Sequence, residues 1–307
     1  MTSKNFLITI VGSTAIGKTA LSIKLANHFK SDILSCDSRQ FYKEMKIGTA
    51  VPEDNELAAA KHHFIQNRSI FDDYNVGTFE RDAILKLNEL FKENPVQIMV
   101  GGSGLYVDAV LKGLDYFPEV SPKIREELTL KCKNEGLTIL QEELKNLDLE
   151  TYNSIALDNP HRVIRALEIC IGTGTPYSTF KNKPKAPRNF HSIKIGLNAD
   201  REIIYNRINK RVDIMIENGL MEEAKELHQH KNLNALQTVG YRELFSYFDG
   251  DFTKDFAISE IKKNTRRFAK RQGTWFKKDK NTLWFNYETD VNIIIEKVSD
   301  KINLIKG

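Results

Sequence analysis

The hydrophobic pattern opens with an apolar, β-branched run, Phe6 to Val11, that reads as a buried strand. Behind it Leu21, Leu25, Ala26 and Phe29 recur at helical spacing and form one face of an amphipathic helix. Asp32 to Cys36 predicts a second strand. Phe79, Ala83, Leu87 and Leu90 place a helix over Thr78–Phe91, ended by Asn94-Pro95, and Val96 to Val100 is a third strand. Gly113 to Pro118 interrupts the pattern as a hinge. Ser121-Pro122 then starts a helix, with Ser as cap, and the chain up to about Lys185 is helical and polar without a strand. A basic, proline-bearing linker runs from Lys181 to Arg188, and His191 to Leu197 returns to strand character. From Arg201 the helical pattern continues almost to Lys280, with Tyr205, Ile208, Val212 and Met215 as one stripe. A short strand over Thr282–Phe285 and a helix over Val291–Ile305 close the chain. Strands alternating with helices predict an α/β fold with a parallel sheet. The strandless stretch predicts an inserted all-helical domain over 118–187, within a core made of 1–117 and 188–307.

Composition changes little in this picture. Of 307 residues, 41% are hydrophobic and 28% charged, as in an ordinary globular protein. No apolar run is long enough for a membrane span, and the first one is too short for a signal peptide, so a cytoplasmic protein is expected. Cys36, Cys132 and Cys170 are scattered, which suggests neither a disulfide framework nor a zinc site. Charge adds more. From Lys262 to Lys278 there are eight Lys or Arg and no Asp or Glu, interleaved with Phe268, Trp275 and Phe276. Ile261, Phe268 and Trp275 recur every seven residues, which predicts one packing face on a helix whose other faces are basic. Such a stripe suits a polyphosphate backbone or, more simply, a solvated surface.

The first strand and helix enclose Gly12-Ser13-Thr14-Ala15-Ile16-Gly17-Lys18-Thr19, a full match to G-x-x-x-x-G-K-[ST] in its strand–loop–helix context. Backbone amides of this loop and the helix N-terminus attract phosphate, Lys18 supplies a point charge, and the Thr19 hydroxyl suits Mg²⁺. The expected ligand is a diphosphate or triphosphate, whether or not it belongs to a nucleotide. The fold expected is therefore a P-loop NTPase-like parallel sheet flanked by helices. Strand two ends in Asp37-Ser38-Arg39-Gln40, where Asp37 is a candidate general base or acceptor for a substrate amine, a Mg²⁺-shell ligand, or a turn cap. Strand three opens into Gly101-Gly102-Ser103-Gly104, which brings backbone and the Ser103 hydroxyl near a ligand or simply makes a tight turn. Arg162 and Arg165 lie three apart on a helix and can present two positive charges together. The adjacent pair His62-His63 cannot face one metal.

In this order, GSTAIGKT, DSRQ, IGTAVP, HHFI, GGSGLYVDAVLKGL, NPHRVIRALE, QTVGYRE and KRQGTWFK resemble the tRNA dimethylallyltransferase (IPP transferase) family over most of the chain. The resemblance implies transfer of the dimethylallyl group from dimethylallyl diphosphate to N6 of the adenosine just 3′ of the anticodon, in tRNAs that read codons starting with U. It implies that the loop Gly12–Thr19 holds the donor diphosphate, with Mg²⁺ on Thr19. It makes Asp37 the acceptor of the N6 proton and puts Ser103, in place of the usual Thr, at the bridging oxygen. It implies tRNA contacts at Asp37, Ser38, Arg39, Gln40, Ser103, Arg125, His161, Arg162, Val163, Ile164, Arg165, Gln237, Thr238, Val239, Gly240, Tyr241 and Arg242. The sequence departs from the family pattern at His161 (usually Gln), Val51 (often Lys) and Gly273 (usually Leu). A monomer acting on the anticodon stem-loop of tRNA is expected, with no membrane partner. The competing readings are a P-loop small-molecule or nucleotide kinase using ATP, and a non-catalytic RNA-binding module.

Overall fold

The computed structural model describes residues 4–307. Among these residues six strands form one sheet: β1 (Phe6–Gly12), β2 (Ile33–Ser35), β3 (His62–His63), β4 (Val96–Val100), β5 (His191–Asn198) and β6 (Leu283–Asn286). Their order is β3-β2-β4-β1-β5-β6, and every pairing is parallel. Strand β1 is central because both its faces are apolar: Leu7 and Val11 point into one core, and Phe6, Ile8 and Ile10 into the other.

Helices α1 (Lys18–Phe29), α2 (Asp54–Ala59), α3 (Val76–Glu93) and α4 (Gly104–Lys112) alternate with the first strands. Phe79, Ala83 and Leu87 of α3 and Val107 and Val110 of α4 cover one face of the sheet. Leu21 and Leu25 of α1 cover the opposite face. The chain divides into two compact units, Gly113–Pro187 being one and the rest the other. The smaller unit holds α5 (Pro122–Glu135), α6 (Leu137–Leu147), α7 (Leu149–Ser154) and α8 (Pro160–Thr173). Its own core is built from Leu128, Leu140, Leu144, Val163 and Leu167. The larger unit continues with α9 (Arg201–Glu217), α10 (Leu220–Leu227), α11 (Tyr241–Phe248), α12 (Lys254–Phe276) and α13 (Val291–Lys306). Ile294, Val298 and Ile302 of α13 complete the layer beside α1, while α9 to α12 share a separate helical core around Val212, Leu220, Tyr241, Leu244 and Ile261.

Three local expectations change. The crossover after Ala50 contains α2, at whose start Glu56 Oε2 accepts from the Glu53 amide at 3.0 Å, which the sequence pattern concealed. Ser121 stands at the start of α5, but its side chain makes no capping bond. The stripe Ile261–Phe268–Trp275 is not a uniform packing face. Ile261 is buried, whereas Phe268 and Trp275 are 37% and 38% exposed, because the second half of α12 is buried through Ala269, Gln272 and Phe276 instead.

Leu167 is fully buried at the centre of the smaller core. Leu167→Ala should destabilise that unit by about 2–5 kcal/mol. Urea unfolding followed by the fluorescence of a probe placed in Gly113–Pro187 would show an earlier transition there.

Candidate active site

Strand β4 lies between β1 and β2, so the carboxyl ends of these three strands are neighbours. Ligands of open parallel sheets bind at such an edge, where the strand order reverses. Here it brings together the phosphate loop after β1, the Asp37 turn after β2 and the Gly-rich turn after β4. Hydrogen bonds join them. The Cys36 amide donates to Val100 O (2.8 Å) and the Gly101 amide to Ile10 O (3.2 Å). The Ser38 amide donates to Ser103 Oγ at 3.1 Å, and the two hydroxyls of Ser38 and Ser103 are also 3.1 Å apart. Asp37 Oδ1 accepts from the Arg39 amide at 3.1 Å, so one carboxylate oxygen shapes its own turn.

Positive charge gathers on the loop side. Lys18 Nζ donates to Ser13 O (2.8 Å), Arg207 Nε to Ala15 O (2.7 Å) and Arg211 Nη1 to Thr14 Oγ1 (3.4 Å). Ala15 itself is held at φ 62, a left-handed conformation uncommon for a residue with a side chain. Loss of hydration lowers the Lys18 pKa to about 8, while Asp37 opposes the shift and Arg211 adds to it. Loss of hydration lowers Arg211 as well. Lys18, Thr19, Arg207, Lys210 and Arg211 line a cavity of about 580 Å³. Such a wall of cations, of which Lys18 and Arg211 are poorly hydrated, suits a compact polyanion.

A second cavity of about 620 Å³ adjoins the first. Thr14, Asp37, Thr49 and Arg211 line both. Its other walls come from Ser103, Leu105, Met215, Val239, Phe268 and Trp275, together with Arg39, Arg242 and Arg271, so it is cationic as well but aromatic on one side. Trp275 Nε1 donates to Asp108 Oδ2 (3.0 Å), which fixes the indole at the rim. Phe268 and Trp275, two exposed aromatics of α12, therefore face this cavity.

The residues expected to meet RNA divide by what their side chains are doing. Ser38, Arg39, Gln237, Thr238, Val239, Gly240 and Arg242 all line the second cavity. The Arg39 guanidinium is nonetheless engaged with the carbonyls of Asn234 and Ala235, each at 2.9 Å. Gln40 lines the first cavity and holds the neighbouring loop through Thr49 O and Ala50 O. Tyr241 has no exposed surface; its hydroxyl donates to Glu223 Oε1 at 2.6 Å. Glu223 also accepts from the amides of Lys46, Ile47 and Gly48. Gly48 must be glycine here, since a methyl would stand 2.6 Å from the Tyr241 ring. Tyr241 is thus a brace for the loop and not a side chain an RNA can touch. Within the smaller unit, Arg125 and Arg165 converge on Glu168 Oε2 at 2.9 and 3.0 Å. His161 and Arg162 are exposed at the start of α8, but Val163 and Ile164 face its core, so those two can only position their neighbours.

Four residues escaped the sequence reading. Arg207 and Arg211 lie four apart on α9, but nothing local places them on the phosphate loop. Glu223 and Gln272 serve backbone partners 170 or more residues away, and only the fold reveals that.

A bound diphosphate favours the protonated form of Lys18. Affinity should therefore be full below pH 8 and weaken as pH rises through it, by up to about tenfold per unit. Calorimetry with inorganic diphosphate checks this, and Lys18→Met, titrated in parallel, should show only the ligand's own pH dependence.

The profile of the IPP transferase family matches residues 40–279. The chain is 61% identical to a tRNA dimethylallyltransferase of Flavobacterium psychrophilum, over 97% of this chain and 99% of that one. It is similar to the crystal structure of a tRNA isopentenylpyrophosphate transferase from Bacillus halodurans, with 34% identity, 98% of each chain covered and a TM-score of 0.74. A eukaryotic dimethylallyltransferase acting on tRNA shares the fold at a TM-score of 0.79 and 24% identity, over 94% of this chain and 75% of that one. None of these three is a kinase. The phosphate loop, the Asp37 turn and the Gly-rich turn thus meet in a chain that belongs to the IPP transferase family.

Proposed function

We propose that the protein transfers the dimethylallyl group of dimethylallyl diphosphate to N6 of the adenosine just 3′ of the anticodon, in tRNAs reading codons that start with U. The observation that carries this reading is the wall common to the two cavities. Asp37 stands in it, with a space lined by Lys18, Arg207 and Lys210 on one side and an aromatic-lined space on the other. The adenine enters the aromatic side, extruded from its loop at a cost of roughly a few kcal/mol. The prenyl group then lies at the junction, within reach of the amine.

The N6 lone pair forms a bond to C1 of the dimethylallyl group as the C1–O bond breaks, and its electrons leave on diphosphate. Lys18, Arg211 and the loop amides stabilise that charge where it develops. Ser103 Oγ accepts from the Ser38 amide, and when the Ser38 hydroxyl also donates to it, its own hydrogen turns to the bridging oxygen. The Asp37 carboxylate takes the proton that N6 loses. Thr19 lines the cationic cavity, and its hydroxyl would hold a Mg²⁺ ion bound there. Such an ion supplies further neutralisation of the diphosphate. Arg125, the 161–165 segment and the basic residues of α12 bind the RNA backbone. A monomer working in the cytoplasm, where tRNA is found, completes the reading.

Asp37→Asn keeps the turn and removes the base. Single-turnover transfer should fall about 10²–10⁴-fold while tRNA affinity stays nearly constant. An unchanged rate would remove Asp37 from the mechanism. Arg162→Ala should weaken tRNA binding and lower the slope of log affinity against log salt by about one, as a lost phosphate contact does.

A further inference from the structure

Gln272 of α12 is only 5% exposed and lies between two of the three converging turns. Its Oε1 accepts from the Thr14 amide of the phosphate loop at 2.9 Å. Its Nε2 donates to Gly102 O of the Gly-rich turn, also at 2.9 Å. A carboxamide has one accepting and one donating end, which matches an N–H on one side and a C=O on the other. A carboxylate would lack the donor, and an aliphatic chain would leave both backbone groups unpaired. The fit is close enough that a methyl on Gly102 would stand 2.2 Å from Nε2.

The bonds continue beyond Gly102. Ser103 follows it and holds Ser38 through two contacts, and Ser38 follows Asp37. On the other side Thr14 also receives Arg211, and the adjacent Ser13 carbonyl receives Lys18. One buried side chain therefore links the cationic cradle to the turn bearing the hydroxyl and the base.

We propose that Gln272 is a positioning residue for prenyl transfer, setting the spacing between the phosphate loop and the Ser103–Asp37 pair. The inference rests on the function proposed above. It predicts an effect on rate and not on grip. Lys18, Arg211 and the remaining amides still hold the diphosphate without Gln272, but a displacement of about 1 Å between reacting groups can cost about 100-fold in rate.

Gln272→Met keeps length and burial and makes neither bond. With an unmodified anticodon stem-loop and dimethylallyl diphosphate, its single-turnover rate should fall about 30- to 100-fold. The dissociation constants of RNA and of inorganic diphosphate should stay within about threefold of wild type. Added to Ser103→Ala, it should cost less than about threefold more, because the hydroxyl through which Gln272 reaches Ser38 and Asp37 is already gone. An unchanged rate, a diphosphate affinity that falls in step with the rate, or losses that multiply would each overturn the inference. Gly102→Ala attacks the same bond from its other end and should reproduce the rate loss; it decides the matter if Gln272→Met does not fold. Absence of transfer by the wild-type protein would instead overturn the functional reading, and this inference with it.

Discussion

A lysine ammonium with little water around it, at the end of the central strand, is the constraint on which this structure turns. Lys18 cannot leave that position, because it begins the helix that buries Leu21 and Leu25 against the sheet. Its charge is met by a loop carbonyl and by Asp37, while Arg211 crowds it from α9. Like charges held together in a poorly hydrated place favour an anion between them. Every other part of the site can be understood as holding a reaction around that anion.

The sheet order performs most of the assembly. Had β4 added at an edge, the Gly-rich turn would lie beyond the Asp37 turn and not between it and the phosphate loop. With β4 inside, Ser103 reaches Ser38, and both stand beside the loop. The helical half of the core then supplies a second layer. Glu223 gathers three successive amides of the 46–48 segment, Tyr241 braces the same carboxylate, and Gln272 ties two turns together. Long side chains from helices thus immobilise loops that have no regular structure of their own, which is how a site on loops becomes rigid enough for chemistry.

Much of this was legible in the chain. The strand–loop–helix run at Phe6–Phe29 carries its own evidence, since apolar periodicity and the phosphate-loop spacing agree. The strands at 32–36, 96–100 and 191–197 are short, apolar and bounded by polar or glycine-bearing turns, so pattern alone located them. The limits are equally physical. A two-residue strand such as His62–His63 has no period to read, and a six-residue helix such as Asp54–Ala59 shows no buried stripe. The α12 stripe misled because heptad spacing records which residues share a face, not whether that face meets a core or a cavity. Val163, Ile164 and Tyr241 sit inside motifs associated with RNA contact, yet motifs mix residues that touch a ligand with residues that hold those in place. Burial separates the two kinds.

The central claim is that the phosphate loop serves a prenyl donor and that the acceptor is an RNA adenine. The most direct measurement is mass spectrometry of nucleosides from unmodified tRNA incubated with the protein, Mg²⁺ and dimethylallyl diphosphate, beside a parallel incubation with ATP alone. The account predicts N6-(dimethylallyl)adenosine in the first sample, mapped by nuclease fragments to the base just 3′ of the anticodon, and no ATP consumption in the second. Unmodified adenosine in the first with ATP turnover in the second would contradict it and return the loop to nucleotide chemistry.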